Sequence, residues 1–153
     1  MKQRRDILTG FGILAATAIT ATGAKAAEKP AGGHRIVIQV SDNRPELMTM
    51  ALNNAANVSS AFADKGEDVA IEIVAYGPGL HMLRTDTSPV KERIATFPKS
   101  MPNVSFSACG NTLHGMEKAE GKPVVLISEA KVVMAGVVRI MELQEQGWSY
   151  IKV

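Results

Sequence analysis

The chain of 153 residues holds one cysteine, Cys109, which excludes a disulfide framework: a single thiol stays free, pairs between chains or carries a modification. Aromatic residues make up 5% of the chain, and no basic stripe is interleaved with them, so nothing points to a nucleic-acid surface. No Gly-x-Ser-x-Gly elbow is present to carry a serine hydrolase. Paired catalytic carboxylates have no candidate either, because Glu67-Asp68 and the Glu117 to Glu120 segment read as solvated loop charges. A long, strongly apolar run is also missing. The stretch from Ile7 to Ala24 is only moderately apolar and studded with Gly and Thr, too weak for a stable membrane span.

That stretch has another reading. Lys2, Arg4 and Arg5 precede it and the small residues Ala24-Lys25-Ala26 follow, so residues 1–26 are expected to be an export signal cleaved near Ala26, with a periplasmic mature protein. Gln3-Arg4-Arg5-Asp6-Ile7-Leu8 resembles the twin-arginine signature; the general secretory route is the alternative. The signal holds four basic residues against Asp6 alone, so its removal brings the formal charge of +2 close to neutral. Residues 27–33 then read as a flexible leader and 34–153 as one domain with one core.

Within that domain, β-branched runs alternate with helical periodicity. Strands are expected at 34–40, 69–75, 103–108, 123–128 and 148–153. A helix from Pro45 to Ala63, capped by Ser41-Asp42-Asn43, carries a stripe of Leu47, Met50, Ala51, Asn54, Val58 and Ala61 widened by Leu52, Ala55 and Phe62. Its amides Asn53, Asn54 and Asn57 read as a solvated or subunit-facing edge. A second helix is expected from Pro89 to Phe97, capped by Ser88 and ended by Pro98 and Pro102. A short helix with Leu113 and Met116 follows the cysteine, and the last runs from Gly136 to Gln146 with Val137, Ile140, Met141 and Gln144 in register. The alternation implies a flavodoxin-like three-layer α/β sandwich with a mostly parallel sheet of about five strands, whose order stays open.

Cys109 falls where the third strand hands over to a helix, at the carboxyl edge where such sheets place ligands and near helix N–H groups that favour an anion. A thiol with a pKa near about 8.5 is roughly 3% thiolate at pH 7, so a downward shift would make it reactive. The competing reading is a small core residue that finishes the strand. Gly110 and Asn111 are the candidate backbone donors, and His114 and His81 the candidate bases or hydrogen-bond partners. The turn Tyr76-Gly77-Pro78-Gly79 is expected to shape the pocket edge. It has no Gly-x-Gly-x-x-Gly and no phosphate-loop Lys-Ser/Thr, and Pro78 removes a donor that an anion cradle would need. Cys109, His81, His114 and a methionine match no ligand spacing, so neither a metal nor a cofactor is expected.

Three segments resemble a known family. Ile71-Glu72-Ile73-Val74-Ala75-Tyr76-Gly77-Pro78-Gly79-Leu80, Val104 to Leu113 with its Ala108-Cys109-Gly110-Asn111-Thr112-Leu113, and Gly136-Val137-Val138 followed by Leu143 to Lys152 are similar to the DsrE/DsrF-like family. The resemblance implies a small α/β subunit in trimers or hexamers. It also implies kinship with sulfur-relay proteins whose cysteine, here Cys109, takes sulfur as a persulfide and passes it to an acceptor thiol protein or a small sulfur compound. The alternative is a non-catalytic oligomeric binding or scaffold protein with an inert cysteine.

Overall fold

The computed structural model describes residues 33–153, so the expected export signal and all of the leader except Gly33 lie outside the described residues. Gly33 itself belongs to the fold: at φ +86° it packs on Asp68, and a Cβ there would sit 2.8 Å from the Asp68 carbonyl oxygen. Among the described residues no helix is long and apolar enough to cross a membrane.

The β-branched runs form β1 (His34–Val40), β2 (Val69–Ala75) and β3 (Val104–Cys109), joined by the shorter β4 (Ala130–Val133) and β5 (Ser149–Lys152). All neighbouring strands pair in parallel, in the order β4-β3-β2-β1-β5. This order fixes the layers. From β1 to β4 the chain moves stepwise toward one edge, so right-handed crossovers put every connection on one face; the return from β4 to β5 runs the other way and puts its helix on the opposite face. The side chains agree. Helix α1 (Pro45–Ala63) and Leu113 and Met116 of α4 (Gly110–Glu120) pack with Ile38, Ile73 and Phe106, whereas Ile140 and Leu143 of α5 (Gly136–Glu145) pack with Val37 and Val74. Among the described residues, one helix therefore covers a face five strands wide.

Several details differ from the sequence reading. Helix α1 buries Ala51, Leu52 and Ala55 of the expected stripe together with Met48, which the stripe omits, and leaves Met50 and Ala61 exposed. Its N-cap is Arg44, with no side-chain cap, because the Asp42 carboxylate instead accepts from the Arg44 N–H and Nε. Asn53 and Asn57 are exposed, and Asn53 accepts from Arg93. The expected helix from Pro89 to Phe97 is two single turns, α2 (Lys91–Ile94) and α3 (Phe97–Ser100); Pro98 sits in the first turn of α3, where its missing N–H costs nothing, so it does not end a helix. Ser88 bridges the Met82 carbonyl and the Val90 N–H.

Pro123 to Ser128 is not a sheet strand. Its backbone pairs outside the sheet, Thr85 N–H donating to Val125 O and Ile127 N–H to Leu83 O, so β4 begins only at Ala130. On α5 the buried positions are Gly136, Ile140 and Leu143, while Val137, Met141 and Gln144 face outward.

A buried arginine ties the connector to α4. Arg84 is 2% exposed and donates to both oxygens of Asp86 and to the Glu120 carboxylate. These hydrogen bonds hold Asp86 down at about 2 and lower Glu120 as well. A carboxylate whose pKa is depressed on folding adds stability above its unfolded value near about 4, lost as pH falls through the folded value. The urea midpoint is therefore expected to hold from pH 7 to 5 and drop between about pH 4 and 2. A midpoint that stays level to pH 2 would contradict the role of these ion pairs.

Candidate active site

Strand β3 alternates strictly: Val104, Phe106 and Ala108 enter the larger core, and Ser105, Ser107 and Cys109 point to the α5 face. Cys109 ends the strand and, with no intervening loop, is the N-cap of α4. Its sulfur takes the place that a Ser or Asp oxygen holds at most helix starts, accepting the Thr112 N–H at 3.4 Å. Thr112 is doubly used. Its Oγ1 accepts the Gly77 N–H at 2.9 Å, which leaves its own hydroxyl proton free for the sulfur.

A second helix start meets the first. A Cβ on Gly136, the first residue of α5, would lie 3.3 Å from the Cys109 Cβ and 3.0 Å from that of Tyr76, so only glycine lets the α5 N-terminus come this close. Burial pushes the Cys109 thiol up. Against it, the Thr112 hydroxyl and the N–H groups of Gly136, Thr112 and Asn111 stabilise the anion, and the thiol ends below its ordinary value. Asn111 contributes least, since its N–H already donates to Met134 O at 3.1 Å. Cys109 is 5% exposed, and the groups that favour its anion are backbone N–H groups and the hydroxyl of Thr112.

Of the residues proposed from sequence, Tyr76 and Gly77 stand with Cys109, Tyr76 through Gly136 and Gly77 through Thr112. Gly110 packs α4 against β4, a Cβ there falling 3.1 Å from Val133 O; no N–H of Gly110 acts on the thiol. Gly79 serves packing: its Cβ would meet Val40 O at 2.2 Å. His81 lies in the 3-10 helix Gly77–Leu83 and bonds Thr87 through Nδ1 at 2.8 Å, and His114 is exposed on α4; neither is a hydrogen-bond partner of Cys109. Sequence reading missed Thr112 and Gly136. A threonine three residues beyond a cap position was a legible signal for the first; the second depends on tertiary approach alone.

Two cavities lie elsewhere. One of about 630 Å³ opens at the amino edge of the sheet between Ser59, Asp68 and Asn103. Another of about 450 Å³ stands outside the ends of β1 and β5, where the strand order reverses, lined by Ser41, Asp42, Arg44 and Lys152. Among the described residues no group of three or more His, Cys, Asp or Glu side chains is placed to hold a metal ion.

The fold has a solved counterpart: the chain is similar to the protein of unknown function MTH1491 from Methanobacterium thermoautotrophicum, at 30% identity and a TM-score of 0.66, over 78% of this chain and 99% of that one. No family model and no curated protein matches the chain.

Proposed function

We propose, for a chain that belongs to the same family as that archaeal protein, a sulfur-trafficking role in which Cys109 carries sulfane sulfur as a persulfide. One observation carries this reading: the only thiol of the chain sits where two helix N-termini meet, with its pKa lowered despite burial. The resemblance to the DsrE/DsrF-like family points the same way. In the proposed reaction the Cys109 thiolate attacks a terminal sulfane sulfur of a polysulfide. An S–S bond forms at Sγ, the adjacent S–S bond breaks, and the shortened polysulfide or hydrosulfide leaves with the electron pair. An acceptor thiolate then attacks the outer sulfur and Cys109 returns as thiolate, with no net oxidation. With Cys109 only 5% exposed, a thin linear donor fits the reading better than a bulky one.

The same reading includes export to the periplasm and assembly into a homo-oligomer. Support for assembly comes from α5, whose outward side leaves Val137, Val138 and Met141 exposed, and from Met134 just before it, which is 75% exposed. Exposed apolar side chains of this kind, where they are contiguous, mark interaction sites on monomers. Parallel sheets are normally covered on both faces, and among the described residues one helix covers the second. The burial of Cys109 favours a second reading, an oligomeric scaffold or small-ligand-binding protein with an inert thiol. Intact mass after incubation with polysulfide separates the two: a gain of one sulfur supports the carrier, and an unchanged mass supports the scaffold.

A further inference from the structure

A buried carboxylate lies below the thiol on the same face of the sheet. Glu72, in the middle of β2, is 5% exposed, and three groups act on it. Arg139 of α5 donates Nε and a terminal nitrogen to its two oxygens, both at 2.8 Å; Ser107 of β3 donates its hydroxyl at 2.7 Å; and Lys131 of β4 adds positive charge. Glu142 approaches the far side of Arg139 at 3.9 Å. Burial would raise the Glu72 carboxyl, but Arg139 and Ser107 outweigh it, and the group stays ionised.

These partners are not arbitrary positions. Ser107 is the residue of β3 that shares a face with Cys109, one strand repeat before it, and Arg139 stands one turn into α5 from Gly136. One carboxylate thus ties the strand that ends in Cys109 to the helix that begins at Gly136. We infer that Glu72 and Arg139 are positioning residues for Cys109: their two-pronged ion pair sets the seating of α5 on the sheet, and with it the approach of the Gly136 N–H to the sulfur. The inference deepens the carrier reading and rests on the same thiol.

The physics favours sensitivity. The influence of a helix N-terminus fades within its first turn, so a small withdrawal of α5 weakens it at the sulfur. Only one ion pair between described side chains joins α5 to the sheet, and the apolar contacts under α5 are few, chiefly Ile140 and Leu143 on Val37 and Val74. Such contacts slide more readily than a bidentate fork.

Arg139→Lys isolates the effect, since it keeps the positive charge near Glu72 and removes the fork. The readout is the ultraviolet absorbance of the thiolate against pH, taken as a difference from Cys109→Ser, which needs no reagent to reach the sulfur. The ionisation midpoint is expected to rise by about half to one pH unit, a roughly 3- to 10-fold loss of thiolate at a fixed pH below the midpoint. Ser107→Ala, a milder truncation, is expected to move it the same way by less. A purely structural pair would lower the melting temperature and leave the midpoint in place; unchanged midpoints in both variants would overturn the inference. The two ideas fail separately: a midpoint that shifts in a protein taking up no sulfur leaves the positioning role standing and removes the carrier.

Discussion

Cys109→Ser is expected to abolish the mass gain of one sulfur on exposure to polysulfide while leaving the fold as stable as wild type. The two halves rest on different properties of the same position. As the N-cap of α4, residue 109 needs an acceptor for the Thr112 N–H, and a serine oxygen is a better one than sulfur. A hydroxyl at that position, with an alcohol pKa far above neutrality, is no nucleophile toward sulfane sulfur and forms no stable analogue of a persulfide. Cys109→Ala completes the pair: it also takes up no sulfur, but it orphans the cap and is expected to cost about 1 kcal/mol. Intact mass and urea unfolding of the three proteins check both statements. Sulfur bound to Cys109→Ser would place the acceptor elsewhere and remove the basis of the proposal.

Gly79→Ala is expected to be the most damaging single methyl group, at about 3 kcal/mol or more, beyond the usual cost of overpacking. The added carbon would fall 2.2 Å from Val40 O, 2.6 Å from Val40 C and 2.9 Å from Ser41 Cα. All three atoms are backbone at the end of β1, which is hydrogen-bonded to strands on both sides, so no rotamer change relieves the clash. Relief requires the turn after β2 to lift. That turn carries Gly77, whose N–H holds Thr112, so a variant that still folds is expected to show a raised thiol pKa as well as a lower urea midpoint. A loss below about 1 kcal/mol would mean that the turn is not seated as described.

The parts of the fold legible in the sequence were those with one strong local signal. β1 and β2 were read to the residue because β-branched runs were flanked by glycine, asparagine or charge, and Pro45 marked the start of α1. Where two apolar patterns competed, sequence could not choose. In α1 the stripes through Met48 and through Met50 are adjacent, and only contact with the sheet selects the first. In α5 Val137 and Met141 share a spacing with Ile140, yet they face outward, because among the described residues one helix covers that face and none packs on its far side. The run Val124 to Ile127 was apolar enough for a strand, but tertiary hydrogen bonds to Leu83 and Thr85 took its backbone. At the site, Cys109 at a strand-to-helix junction was visible from the chain. The histidines were not placed by any pattern; Thr112 follows locally from the cap position of Cys109, whereas Gly136 owes its place to the meeting of two helices across the sheet edge.

The most direct test is the rate of iodoacetamide labelling of the folded wild-type protein as a function of pH, with Cys109→Ser as blank. A thiol held by two helix N-termini is expected to label in the native state with a midpoint clearly below the ordinary value of about 8.5. A midpoint at or above that value, or labelling that begins only when the protein is unfolded, would contradict it.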